Sequence, residues 1–397
     1  MISAARSAYN KSFSESKYKA FLADLDGLYH HAITFRVAET PVFVGHEFKN
    51  KLLEASNEIV DFLVRADVKK LTDAAIPPNL RVPNETNHTL FLALDYAVVN
   101  EGGVLEPRLI EMQGFPSLFA WQDVIAEKYR EHFVVPGNWQ SHFGLSSEAY
   151  RSKLKSVLLN GHDPNQVILL EIDPIKQNTA IDFLATKDFT GIEAVHIGDV
   201  EREGRKLFYK KDGKRTEIRR IYNRVIFDEL VKRPDLKLSF NLTEDVDVEW
   251  AGHPNWFFRI SKYTMPLIKS RFIPECRFLS DYREFPDDLE NFVLKPLFSF
   301  SGSGVVFHVT SADLNAIPES QRHEFMLQRK VQYQPVVQTP DGMVKVEIRL
   351  LFFWEEGQVR PQLVTNLARL SRGEMIGVKY NKDKMWVGGS VCFFEEH

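Results

Sequence analysis

The chain has 397 residues, 44% of them hydrophobic and 26% charged, with 21 Gly and 19 Pro. That composition excludes disordered, collagenous and low-complexity classes, and the length calls for two or three packed units. Fifty basic against 54 acidic residues leave a formal charge of -4, too balanced for a chain whose main partner is a nucleic acid or an anionic membrane.

The opening residues lack the apolar core of a signal peptide, and no apolar run reaches the length of a membrane span. The two cysteines, Cys276 and Cys392, make neither a disulfide framework nor a thiolate zinc site. A cytoplasmic protein with no membrane and no nucleic-acid partner is therefore expected.

Apolar spacing predicts helices over 15–29 and 47–66, the second carrying Leu52, Leu53, Ile59, Val60 and Leu63 as one stripe. The Pro and Asn cluster at 76–84 is turn chemistry, and a third helix is expected over 85–99, ending near Gly102-Gly103. A short strand at 109–113 follows, and Ser117 is placed to cap a helix running through Trp121, Val124 and Ile125. The middle third alternates: helix 146–159, strand 166–171, helix 179–186, strand 192–197. A basic hairpin then pairs 206–210 with 216–225, turning at Asp212-Gly213, and its cations are read as a solvated face. The last part predicts a helix at 256–269, strands at 291–295 and 305–309 around a small-residue loop at 299–304, and three further strands at 325–332, 344–354 and 362–367.

The signatures of P-loop, zincin and nucleophile-elbow enzymes are absent from the sequence. What remains is a lysine, Lys295, closing an apolar strand just before the run Ser301-Gly302-Ser303-Gly304, whose small residues allow backbone N–H groups close to phosphate oxygens. Further on, Gln328-Arg329-Lys330 ends a strand that could meet an adenine edge. Glu347 and Arg349 share one face of another strand, where a carboxylate and a guanidinium could serve a metal and a phosphoryl group. Arg219, Arg220 and Arg224, close to Tyr222, are candidates for holding a carboxylate.

This order of features resembles the ATP-grasp fold. Leu94-Asp95-Tyr96 and Leu109-Ile110-Glu111-Met112-Gln113-Gly114-Phe115-Pro116-Ser117 are similar to the Asp-Tyr and Ile-Glu-x-Asn-x-x-x-x-Ser motifs of eukaryotic-type glutathione synthetases and of glutathionylspermidine synthases. In that group the metal-binding strand precedes the ATP-binding segments because the chain is circularly permuted.

The resemblance implies an α+β / α/β fold: two antiparallel-sheet lobes around a nucleotide cleft, plus an α/β substrate domain. It implies a helical region with the metal-binding strand at 1–145, the substrate domain at 146–245 and the nucleotide-binding region at 246–397. It further implies ATP held by Lys262, Lys295, Ser301, Gly302, Ser303, Gly304, Gln328, Arg329 and Lys330, and Mg²⁺ held by Glu111, Gln113 and Glu347. Arg349, Arg369 and Arg372 would act on the transferring phosphoryl group, with Gly388-Gly389 in the closing segment.

Gln113 stands where the family has Asn, and Ser299 where a Glu follows Lys-Pro, a charge that Glu347 is expected to supply. The activity implied is ATP-dependent joining of a small carboxylate to an amine through an acyl phosphate. The alternatives are an ATP-binding module without catalysis and a phosphotransferase stopping at the phosphorylated product.

Overall fold

A six-stranded antiparallel sheet occupies the middle of the computed structural model, which describes residues 3–29, 32–298, 304–373, 376, 381 and 383–396. Its order is Gly388–Ser390, Gln362–Ser371, Gly342–Phe353, Phe91–Glu101, Val104–Gln113, with Val337–Thr339 pairing alongside Gly342–Phe353. Strand alternation gives this sheet two different faces. On one, Tyr96 meets the helix His46–Leu63, its hydroxyl 3.1 Å from Ser56 Oγ, while the helix Phe119–His132 packs on the strand Gln362–Ser371. The opposite face carries Asp95, Glu111, Glu347, Arg349 and Arg369, and the site is built on it.

Phe91–Glu101 is the main departure from the expected elements, which had a helix over 85–99. Phe91 to Val99 are all buried: the strand lies between two partner strands, and residues on both of its faces are covered. An apolar run of that kind has no period-2 signal. Gly102 and Gly103, both at positive φ, form the hairpin turn into Val104–Gln113.

The middle of the chain forms a wholly parallel four-stranded sheet in the order Glu249–Ala251, Arg220–Asn223, Val167–Glu171, Glu193–His196. The helices Ser147–Leu159 and Ala180–Thr190 accompany it, the first capped by Ser146 Oγ. The basic hairpin is Lys206–Lys211 with Lys214–Ile218, turning at Asp212 and Gly213 as expected, and Arg220–Asn223 leaves it to join the parallel sheet. A three-stranded antiparallel sheet, Cys276–Phe278, Phe325–Arg329, Phe292–Pro296, supplies the other wall of the site.

Two more expectations are corrected. The segment 256–269 is a short helix Asn255–Arg259 that ends at extended Ile260 and Ser261, followed by a 3-10 turn Lys262–Leu267 in which Pro266 prevents continuation as an α-helix. Residues 305–309 make only an isolated bridge, Leu294 to Val306, rather than a strand. Among the described residues no helix is long and apolar enough to cross a membrane.

Candidate functional site

The site starts from a β-bulge. Asp95 pairs with Glu111 but Tyr96 pairs with Leu109, so Ile110 is the extra residue. A bulge turns backbone groups out of the ladder, and here Lys295 Nζ donates to Ile110 O at 3.3 Å while Leu109 N–H donates to Phe272 O at 2.7 Å. Lys295 closes the strand Phe292–Pro296, so the bulge brings the three-stranded sheet onto the central one.

Across the central sheet, Glu111, Asp95 and Arg349 form one row, and Glu347 faces Arg369 in the next. Arg349 donates to Asp95 through Nε and Nη2, each at 2.6 Å, and Arg369 Nη2 reaches the same carboxylate at 2.8 Å. Arg369 Nη2 also lies 2.6 Å from Glu347 Oε1, and the Tyr333 hydroxyl donates to Glu347 Oε2 at 2.6 Å. Lys262 Nζ, at the start of its 3-10 turn, is 3.0 Å from Glu111 Oε1.

The charges shift one another. Burial pushes the Lys295 ammonium down to about 8, against the pull of Glu111 and with the repulsion of Lys262. Burial tends to raise Glu111, but Lys262 and Lys295 outweigh it and hold the carboxyl below its ordinary range. Glu347 is raised by burial and by Asp95, against Arg369 and the Tyr333 hydrogen bond.

Not every candidate faces this point. Gln328 is buried on the same face of the three-stranded sheet as Lys295, beside Cys276 and Val293, and its Oε1 has no hydrogen-bond partner among the described residues. Arg329 points to the other face, where it pairs with Glu275 at 3.1 Å and Asp288 at 3.0 Å. The Lys330 ammonium lies 4.4 Å from the Phe307 ring centroid. Arg372 donates to Asp341 O and Thr339 Oγ1, away from Asp95. Ser299, Ser301, Gly302 and Ser303 lie outside the described residues, and Gly304 follows them at a φ of 71° against Pro296. Gly388 and Gly389 pack beneath the segment 36–38: a Cβ on Gly388 would come 2.3 Å from Arg36 O.

Glu111 and Gln113 lie two residues apart on one strand face, but Glu347 is on the far side of the Asp95 row from Gln113. Glu347 is also engaged by Arg369 and Tyr333, so the three expected metal ligands do not converge. Among the described residues the one cluster of three metal-type side chains is elsewhere, at Asp24, Glu131 and His132, where Lys128 already pairs with both carboxylates.

After Gln113 the chain turns sharply. Gly114 N–H donates to Ile260 O, and a Cβ on Gly114 would lie 2.5 Å from Trp256 O. Gly114→Ala is therefore expected to destabilise the fold by about 1–3 kcal/mol, measured as a lowered urea midpoint; a midpoint equal to the wild type's would mean that this close approach is not maintained. Ser117 does not cap the next helix. Leu118 holds the cap position in a left-handed conformation, and Asp182 accepts the N–H groups of Leu118 and Trp121, both at 2.9 Å.

Arg224 is buried beside this turn, donating to Pro116 O at 2.9 Å and stacking on Phe115 at 4.4 Å, with Nε unpartnered among the described residues. Near it, Glu171 at the carboxyl end of its parallel strand is raised to about 8 by burial, with Arg224 opposing. Arg219 pairs with Glu217 and Arg220 with Glu249, leaving Arg224 alone of the three beside the turn after Gln113.

No protein-family model matches the sequence, and no curated protein does. Among solved structures the fold is similar to that of a glutathione synthetase like-effector from Globodera pallida in apoform, with a TM-score of 0.58 at 9% identity, covering 97% of this chain and 98% of that one. The chain has a glutathione synthetase-like fold.

Proposed function

We propose that the protein is a circularly permuted ATP-grasp ligase that joins a small carboxylate to an amine at the expense of ATP. One observation carries this reading: Lys262 and Lys295 from two separate elements converge with Arg349 and Arg369 on the row Glu111-Asp95, and Lys295 has no carboxylate partner within ion-pair distance among the described residues. Counted with Glu347, four cations meet three carboxylates, which leaves one positive charge over for phosphate oxygens. The unpartnered Gln328 Oε1, on the face that carries Lys295, fits an acceptor for an exocyclic amine.

Magnesium would supply neutralisation of phosphate charge, and Glu111 with Gln113 offers one carboxylate and one amide oxygen, a set that suits an ion held mostly by phosphate and water. Glu347 fits a different part: it holds Arg369 together with Asp95. In the reaction the substrate carboxylate would attack the γ-phosphorus as the bond to ADP breaks, and the amine nitrogen would then displace phosphate from the acyl carbon and lose a proton. Arg369 and Arg349, fixed in direction by Asp95, would stabilise the oxygens on which charge develops. Arg224 and Glu171, at the carboxyl edge of the parallel sheet, suit the polar end of the acid or amine.

The saturation of Asp95 and Glu347 by arginines, with Ser299 in place of a carboxylate, favours as second reading a module that binds ATP without turnover. ADP release separates the readings. The ligase releases ADP only when acid and amine are both present, a phosphotransferase needs no amine, and the module releases none with any pair while still binding ATP. Absence of ATP binding by calorimetry, with and without Mg²⁺, would sink the nucleotide assignment.

A further inference from the structure

At the far end of the hairpin from the site, about 17 Å along the strand from Asp95, the helix Ser3–Ser12 lays Arg6 and Asn10 against the strand Val337–Thr339. Asn10 Nδ2 donates to Gln338 O at 3.0 Å, which fixes the helix on this edge. Arg6 is only 6% exposed. Its Nη1 donates to Thr40 Oγ1 at 2.6 Å and Pro41 O at 3.1 Å, and its guanidinium carbon lies 4.6 Å from the Tyr9 ring centroid and 5.3 Å from that of Phe43.

Among the described residues the other edge of the guanidinium, Nε and Nη2, has no hydrogen-bond partner, and no carboxylate pairs with Arg6. A buried cation without a counter-ion is costly to keep, and burial brings Arg6 down to about 10. Against it lies a half-open cavity of about 250 Å³, walled by Val42, Phe43, Leu105, Val336 and Met343, in which Arg6 is the one ionisable lining residue among the described residues.

We propose that this cavity binds a small monocarboxylate with a compact apolar body. The planar Nε and Nη2 edge, shielded from solvent in this conformation, matches a carboxylate through two parallel hydrogen bonds; a rotation about Cδ–Nε that exchanges the Nη1 bonds to Thr40 and Pro41 for the carboxylate would bring that edge to the cavity. The apolar body lies against Val42, Phe43 and Met343. A single lining cation favours one negative charge over the two of a phosphate monoester, and the volume, below that of drug-sized pockets, restricts the body to about one ring or a short chain.

Benzoate is the probe, with benzyl alcohol as its uncharged counterpart. Calorimetric titration is expected to show saturable benzoate binding by the wild type, accompanied by a rise in Tm, and no such effect from the alcohol. Arg6→Met removes an unpaired buried charge and is expected to fold while binding benzoate about tenfold or more weakly. Should that variant fail to fold, Met343→Trp, at a half-exposed position on the cavity wall, is expected to abolish benzoate binding with Arg6 intact. No binding by the wild type, equal binding of the alcohol, or binding undiminished in the folded variants overturns the site. ATP titration of the same variants is expected to match the wild type, so failure here is distinct from failure of the ligase assignment.

Discussion

Asp95→Ala is expected to lower the stability of the protein by about 3–5 kcal/mol, the cost of leaving a buried cation without its partner. Asp95 is 1% exposed and accepts both 2.6 Å hydrogen bonds of Arg349 as well as the 2.8 Å bond from Arg369. Without that carboxylate Arg369 keeps Glu347, but Arg349 loses both of its charged bonds inside the sheet. Urea unfolding measures this as a lower midpoint at unchanged slope. Asp95→Asn retains one acceptor oxygen and should fall between the two. The double variant Asp95→Ala with Arg349→Met, which removes both charges, should recover much of the loss. A drop below about 1 kcal/mol for Asp95→Ala would show the pair to be no better than a surface ion pair and would remove the argument that Asp95 fixes the direction of the two arginines.

Much of this site is local, and local features are readable in a sequence. Glu347 and Arg349 alternate with apolar neighbours, so their shared face follows from the strand period, and Lys295 closing Phe292–Pro296 follows from one apolar run. Two strands of the parallel sheet, Val167–Glu171 and Glu193–His196, are announced by alternating helix and strand patterns, whereas Arg220–Asn223 reads as part of the hairpin and Glu249–Ala251 carries no strand signal. Register is different, because it depends on residues hundreds of positions apart. That Asp95 faces Arg349, and that Glu347 lies beyond that row from Gln113, is set by the pairing of Gly342–Phe353 with Phe91–Glu101, a pairing the expected helix over 85–99 concealed. Gly102-Gly103 was the available signal, since a glycine pair between two apolar runs is hairpin chemistry. Tyr333 had no signal, lying in an irregular stretch between two strands. The helix cap likewise came from outside the local sequence: Asp182, 61 residues from Trp121, does what was expected of Ser117.

Lys295→Met is expected to weaken ATP binding by about 3 kcal/mol, a roughly 150-fold loss, as a charge-assisted contact inside the protein is removed. The more specific result concerns pH. Burial lowers Lys295 to about 8, with Lys262 adding to the shift and Glu111, Glu347 and Cys276 opposing it. The folded value lies below the unfolded lysine value of about 10.4, so between the two the unfolded chain binds more protons, and this residue adds stability as pH rises through that window. Phosphate binding runs the other way, because it needs the ammonium. ATP affinity of the wild type should therefore fall above about pH 8, approaching a tenfold loss per pH unit, while the fold itself gains stability from the same titration. Lys295→Arg carries its charge throughout and should bind with a flat profile between about pH 7.5 and 9.5, whatever its absolute affinity. A decline that persists in Lys295→Arg would assign the titration to another group. A wild-type affinity that is flat across the window would mean that Lys295 does not touch the phosphates, and the convergence on Glu111 and Asp95 would then be a structural ion network and not a nucleotide site.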